Sequence, residues 1–195
     1  PLIKCIASTN KPIILSTGTS TLETIKKTIS YIRKYNDSPL AILYCVSIYP
    51  SKFDDFNMNN IKILKEKFKC KVGLSDHSND NIVAISAVAA GAEVVEKHIG
   101  LNKNSKGLDM EFSICGPEIS KFKEDILTAK KLIGKNKFIR NSSEDNNKIF
   151  RRSIYVIKDI RKGERFTTKN LKILRPALGL KPKYFPKVLG KISTK

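Results

Sequence analysis

A unit of apolar β-capable run followed by an amphipathic helix repeats along the first two thirds of this chain, and that repeat narrows the possible folds more than anything else in it. Residues 12–16 form the first run, and the polar stretch STGTST (residues 16–21) leads into a helix with Leu22, Ile25, Ile29 and Ile32 at helical spacing. Ser20 or Thr21 can cap that helix, with Glu23 in its first turn, and Asn36-Asp37-Ser38-Pro39 ends it. Residues 40–46 are the second run, followed by a helix over 58–68 with Ile61, Leu64 and Phe68 inward. The third run is 72–75, with an Ala-rich helix over 81–90 that Gly91 stops; the fourth is 92–96. After a loop over 101–116, Pro117 opens a helix through 132. Four such units predict a parallel sheet with right-handed crossovers, because runs this apolar cannot have a solvated face.

The ends of these runs are chemically rich. They carry Ser16 and Thr17, Ser47 and Tyr49, Ser75, Asp76 and His77, then Glu96, Lys97 and His98. In a (β/α) barrel the site lies at that carboxyl edge, and a doubly wound sheet follows a similar rule, so the pattern alone leaves both architectures open. The chain has only two histidines, 21 positions apart, and each closes one of these runs. On neighbouring parallel strands they emerge at one edge, where two neutral imidazoles can hold a divalent metal able to polarise a carbonyl. The other reading is two core or surface histidines with no ligand.

Composition removes competing classes. The net charge of +19 suggests a nucleic-acid binder, but the lysines are scattered among asparagines and isoleucines, and no zinc-finger, RNP or Walker pattern is present. A solvated lysine surface is the expectation, with no nucleic-acid partner. No apolar run reaches membrane-span length and no signal peptide is recognised, so no membrane partner is expected. Cys5, Cys45, Cys70 and Cys115 form no CxxC pair and suit a reducing cytoplasm. The opening residues PLIKCI look like an unfinished apolar pattern, as though the chain were a piece of something longer.

Residues 135–150 are polar and helix-poor, and a linker is expected there. After Arg151-Arg152 the pattern becomes β-rich. Strands are predicted at 153–157 and 171–174, joined by a turn over 158–164, and no closing strand is evident before Lys195.

KPIILSTGTSTLETI, LYCVSIYP, VGLSDHS, GAEVVEKHIGL, KGLD, KDIRKGERFTTKNL, LRPALGLKP and VLGK occur in order at fitting spacing. On these motifs, which span nearly the whole chain, the sequence resembles the sialic acid synthases, a group that includes N-acetylneuraminate, legionaminate and pseudaminate synthases. The resemblance implies an α/β fold: the C-terminal half of a (β/α)8 TIM barrel over 1–134, then a small β-rich antifreeze-like (SAF, β-clip) domain over 151–195 that looks cut short. The first four barrel strands, which carry further family catalytic residues, would be missing, so this piece alone should be inactive. SDHS, the MEFS after Asp109 and the tail RPALGLKPKY lean towards a pseudaminate synthase.

The family reaction condenses phosphoenolpyruvate with the aldehyde of an open-chain N-acylated hexosamine-type sugar, giving a nine-carbon nonulosonic acid and phosphate. By resemblance, His77 and His98 are the ligands of Mn²⁺ or Mg²⁺. Ser16, Ser47 and Ser75 would donate to the phosphate or carboxylate of phosphoenolpyruvate, although Ser16 could simply cap a helix. Ser47 stands where some relatives have asparagine. Glu96 would orient a hydroxyl or move a proton. Lys97 would add positive charge near the anion, or else pair with Glu96. Tyr49 would line the sugar pocket and Asp109 accept from sugar hydroxyls. Asp76 would orient a neighbour. Arg175 would reach the partner's site in a domain-swapped homodimer. Competing readings are another metal-dependent barrel aldolase or isomerase, and an inactive chain acting as an interaction module.

Overall fold

Four short strands account for the apolar runs: β1 (Ile13–Ser16), β2 (Leu40–Cys45), β3 (Lys71–Asp76) and β4 (Val94–Lys97), all in the computed structural model, which describes residues 1–104 and 106–195. They pair in parallel in the order β1-β2-β3-β4. Strand order follows chain order without reversal. A doubly wound sheet must reverse at its switch point, whereas a barrel wall does not.

Helices α2 (Leu22–Ile32), α3 (Asn59–Phe68) and α4 (Asn81–Ala89) make the crossovers, and α5 (Pro117–Ile133) closes the first of two compact units, Pro1–Gly134 and Lys135–Lys195. Thr21 caps α2, its side chain accepting from the Thr24 N–H. Asp80 Oδ1 caps α4, accepting from the Ile82 N–H at 2.7 Å. One sheet face is covered by helices: Ile42, Tyr44, Val72 and Leu74 pack against Ile25, Ile61, Leu64, Val83 and Ala87. Strand alternation sends Leu43, Cys45, Gly73 and Ser75 to the other face. There Gly73 is closely surrounded: a Cβ on it would lie 2.3 Å from the Val94 carbonyl oxygen and 2.6 Å from Leu43 Cδ2.

Two segments differ from expectation. Residues 2–7 form a short helix, α1 (Leu2–Ala7), whose Ala7 packs with Ile32 and Leu40. The loop expected over 101–116 contains a 3-10 turn, Met110–Phe112, and ends in a strand. That strand, β6 (Ile114–Cys115), pairs in parallel with β5 (Ile99–Gly100). Asp109 therefore precedes a further strand instead of following the last one.

In the second unit, β7 (Ser153–Val156) pairs antiparallel with β8 (Leu171–Leu174). Ser153 is buried; its Oγ donates to the Pro176 carbonyl at 2.8 Å and accepts from the Gly179 N–H at 3.1 Å. Residues Ser142–Phe150, expected to be helix-poor, wind into 3-10 turns, and the Ile149 carbonyl accepts from the Ala177 N–H. A short helix, α6 (Phe185–Val188), precedes the tail. The tail itself pairs back: Arg165 bridges Ile192 in antiparallel sense, and Glu164 and Ser193 are joined by a backbone hydrogen bond.

Candidate active site

The register of the parallel sheet stacks polar side chains in layers. Cys45, Ser75 and Glu96 are cross-strand partners at one level, and Asp76 and Lys97 at the next. Ser75 Oγ donates to Glu96 Oε1 at 2.7 Å. The Ser75 hydroxyl proton is engaged by Glu96 in this arrangement, so Ser75 orients that carboxylate.

One residue beyond each strand end are the two histidines, with ring centroids 5.3 Å apart and planes at 58°. The Tyr49 ring is 4.5 Å from His77. Phe112 closes the cluster, 5.8 Å from His77, 5.0 Å from His98 and 5.7 Å from Tyr49. Asp109 Oδ2 is 3.8 Å from His98 Nδ1, and Asp109 holds a left-handed backbone at φ 68°. Tyr49, Ser75, His77, Glu96, His98 and Asp109 thus come together. Phe112 was missed by sequence reasoning; it is the one aromatic between residues 101 and 116, and it is buried.

His77 is only 6% exposed, and its buried Nδ1 has no hydrogen-bond partner. Burial pushes its pKa below the ordinary imidazole value, and the neighbouring His98 adds to that shift. A neutral ring is the form that ligates. Imidazoles bound to one ion at about 2.0–2.1 Å per nitrogen have centroids about 5 Å apart. The observed spacing and the orphaned nitrogen fit a shared divalent cation. Among the described residues, no group of three His, Cys, Asp or Glu side chains is arranged to hold a metal, so an ion here would be completed by water or substrate oxygens.

Lys97 differs from its expected place. Strand alternation turns Asp76 and Lys97 to the helix-covered face, opposite Ser75 and Glu96. Lys97 Nζ donates to Asp76 Oδ2 at 3.1 Å, with side chains 4% and 0% exposed. Its ion pair is with Asp76, not Glu96.

Ser16 is exposed at the end of β1. Ser47 is also exposed, its Oγ 3.8 Å from Cys45 Sγ. Thr17, which sequence reasoning left without a role, is buried and accepts from the Cys45 N–H through Oγ1 at 3.2 Å. It ties the β1 turn to β2 beside Ser47. Arg175 belongs to the second unit and is exposed.

Comparison with known proteins agrees with this layout. The NeuB family model matches residues 1–138, and the SAF domain model matches residues 151–195. The chain is 38% identical over 193 residues to pseudaminic acid synthase of Campylobacter jejuni, covering 99% of this chain and 56% of that protein. To N,N'-diacetyllegionaminic acid synthase of the same organism it is 37% identical over 198 residues, covering 100% of this chain and 59% of that one. Among solved structures it is similar to the N-acetylneuraminic acid (sialic acid) synthetase of Leptospira borgpetersenii, at 34% identity and a TM-score of 0.70, covering 75% of this chain and 51% of that chain. The chain spans a little over half the length of the curated relatives it matches. The first unit is the C-terminal half of a TIM barrel, followed by a small SAF sheet domain. With the family model covering the parallel sheet and the ends of β1 to β4, this chain belongs to the NeuB family.

Proposed function

We propose that this chain carries the metal- and sugar-facing side of a sialic-acid-type synthase. The substrates are phosphoenolpyruvate and an open-chain N-acylated amino hexose. C3 of phosphoenolpyruvate bonds to the aldehyde carbon, whose oxygen takes a proton. Water adds at C2, the C2–O bond to phosphate breaks, and a nine-carbon α-keto acid remains. The observation that carries this reading is the imidazole pair with centroids 5.3 Å apart, beside the Ser75–Glu96 hydrogen bond, at one end of a parallel sheet.

His77 and His98 hold the divalent ion, Mn²⁺ or Mg²⁺, which when bound polarises the aldehyde. Glu96, oriented by Ser75, aligns a sugar hydroxyl or moves the proton to the new alkoxide oxygen. Tyr49 and Phe112 wall the sugar, and Asp109 accepts from its hydroxyls. Ser16 and Ser47 donate to the phosphate or carboxylate of phosphoenolpyruvate at the start of the β1–α2 and β2–α3 connections. Arg175 reaches the partner's site in a homodimer. SDHS, MEFS after Asp109 and RPALGLKPKY favour a pseudaminate-type sugar. Four free cysteines suit work in the cytoplasm.

The test joins this chain to the corresponding N-terminal part of the Campylobacter jejuni pseudaminic acid synthase and measures phosphate release from phosphoenolpyruvate with a panel of N-acylated amino hexoses and Mn²⁺. His98→Ala is expected to abolish turnover; unchanged turnover would remove the ligand role.

A further inference from the structure

We propose that the buried Asp76–Lys97 ion pair is a positioning device that sets the gap between the His77 and His98 rings, and with it the affinity for a divalent cation; the affinity half of this rests on the metal reading above. Asp76 and Lys97 immediately precede the two histidines in the chain and are partners in the β3–β4 register. Lys97 Nζ donates to Asp76 Oδ2 at 3.1 Å and also to the Ser78 carbonyl. The Ser78 N–H donates to Asp76 Oδ1 at 2.9 Å. His77 is thus bracketed by two residues that one ammonium group ties together, and that ammonium belongs to the residue beside His98. The Ser51 N–H adds a further clamp, donating to the His77 carbonyl at 3.0 Å.

The pair lies on the helix-covered face, so it positions the rings through the backbone that carries them. A buried charge pair is a weak source of net stability, because desolvation offsets the attraction. Its tight, doubly anchored geometry is better matched to fixing position. Partners bonded directly to metal ligands orient them, and losing those weakens metal binding about ten- to a hundredfold, which sets the scale for a device acting one residue away.

Removing one charge strands the other and disturbs folding as well as spacing. The informative variant is therefore the double replacement Asp76→Leu/Lys97→Met, which leaves no buried charge. Mn²⁺ binding to the 195-residue chain is read by electron paramagnetic resonance of the free ion. The spacing is read in the metal-free protein as a nuclear Overhauser contact between the two rings, which is easily assigned because the chain has only two histidines. The wild type should show the ring contact and bind Mn²⁺. The double variant should keep its urea midpoint, lose the ring contact and bind Mn²⁺ at least about tenfold more weakly. A purely structural pair would leave both readouts unchanged once folding is preserved, and that result overturns the proposal. If the double variant does not fold, Asp76→Asn/Lys97→Gln is read in the same way. If the wild type binds no Mn²⁺, the metal reading fails, and the ring contact alone then decides the spacing: its loss in the variant supports the device, and its persistence overturns it.

Discussion

At Gly73 a side chain has no room, since the nearest atom to an added Cβ is the Val94 carbonyl oxygen at 2.3 Å, on a neighbouring strand that cannot yield. Gly73→Ala should cost about 1–3 kcal/mol, read as a lower urea midpoint; an unchanged midpoint would mean the sheet yields there. His77 gives a pH dependence with a definite sign. Its folded pKa is lowered, first by burial and then by His98, so below about 6.5 the unfolded chain takes a proton that the folded chain resists. Stability that is full above that pH should decline as pH falls through the lowered value. His77→Gln removes this dependence, so between about pH 7.5 and about pH 5.5 the variant's denaturation midpoint should fall less than the wild type's. Equal falls would mean that burial does not depress His77. Both histidines could be read in the sequence because nothing else in the chain shares their chemistry. The face Lys97 occupies could not. An EKH run states order, and only the register with β3 shows that Lys97 turns away from Glu96 towards Asp76.

At the scale of elements, legibility followed length and contrast. The helix α2 alternates buried Ile25 and Ile32 with exposed charge and has Thr21 as its cap, so its period and start were both visible. Helix α1 is six residues with no side-chain cap, and β5 and β6 are two residues each, too short for any period to register. Those short strands place Phe112 and Asp109 against the histidines, which is why one wall of the site was missed. Capping is the testable link at this scale. Asp80 starts α4 directly after the turn that bears His77 and Ser78, and Asp80→Ala should cost about 1 kcal/mol in chemical denaturation. A variant as stable as wild type would show that α4 is held by its packing alone.

Across the whole molecule, charge is unevenly shared. Residues 135–195 hold 18 of the 37 basic residues but only 4 of the 18 acidic ones, a concentration hidden by the total. Lys135, Lys137 and Arg140 are exposed, outside regular structure and at the start of the second unit. Limited trypsin digestion should cut there first and release a fragment ending at one of these residues, seen by mass spectrometry; first cuts inside α2 or α5 would contradict the two-unit division. Among the described residues, no helix is long and apolar enough to cross a membrane. The sequence by itself determined the parallel βα architecture, the family and the strand-end chemistry, because apolar periodicity and ordered motifs are local properties of a chain. The tertiary structure alone decided which polar groups meet: Ser75 with Glu96, Asp76 with Lys97, and Phe112 over two imidazoles. Those pairings depend on inter-strand register and on which face each side chain takes, and a one-residue slip between β3 and β4 would exchange the first two of them.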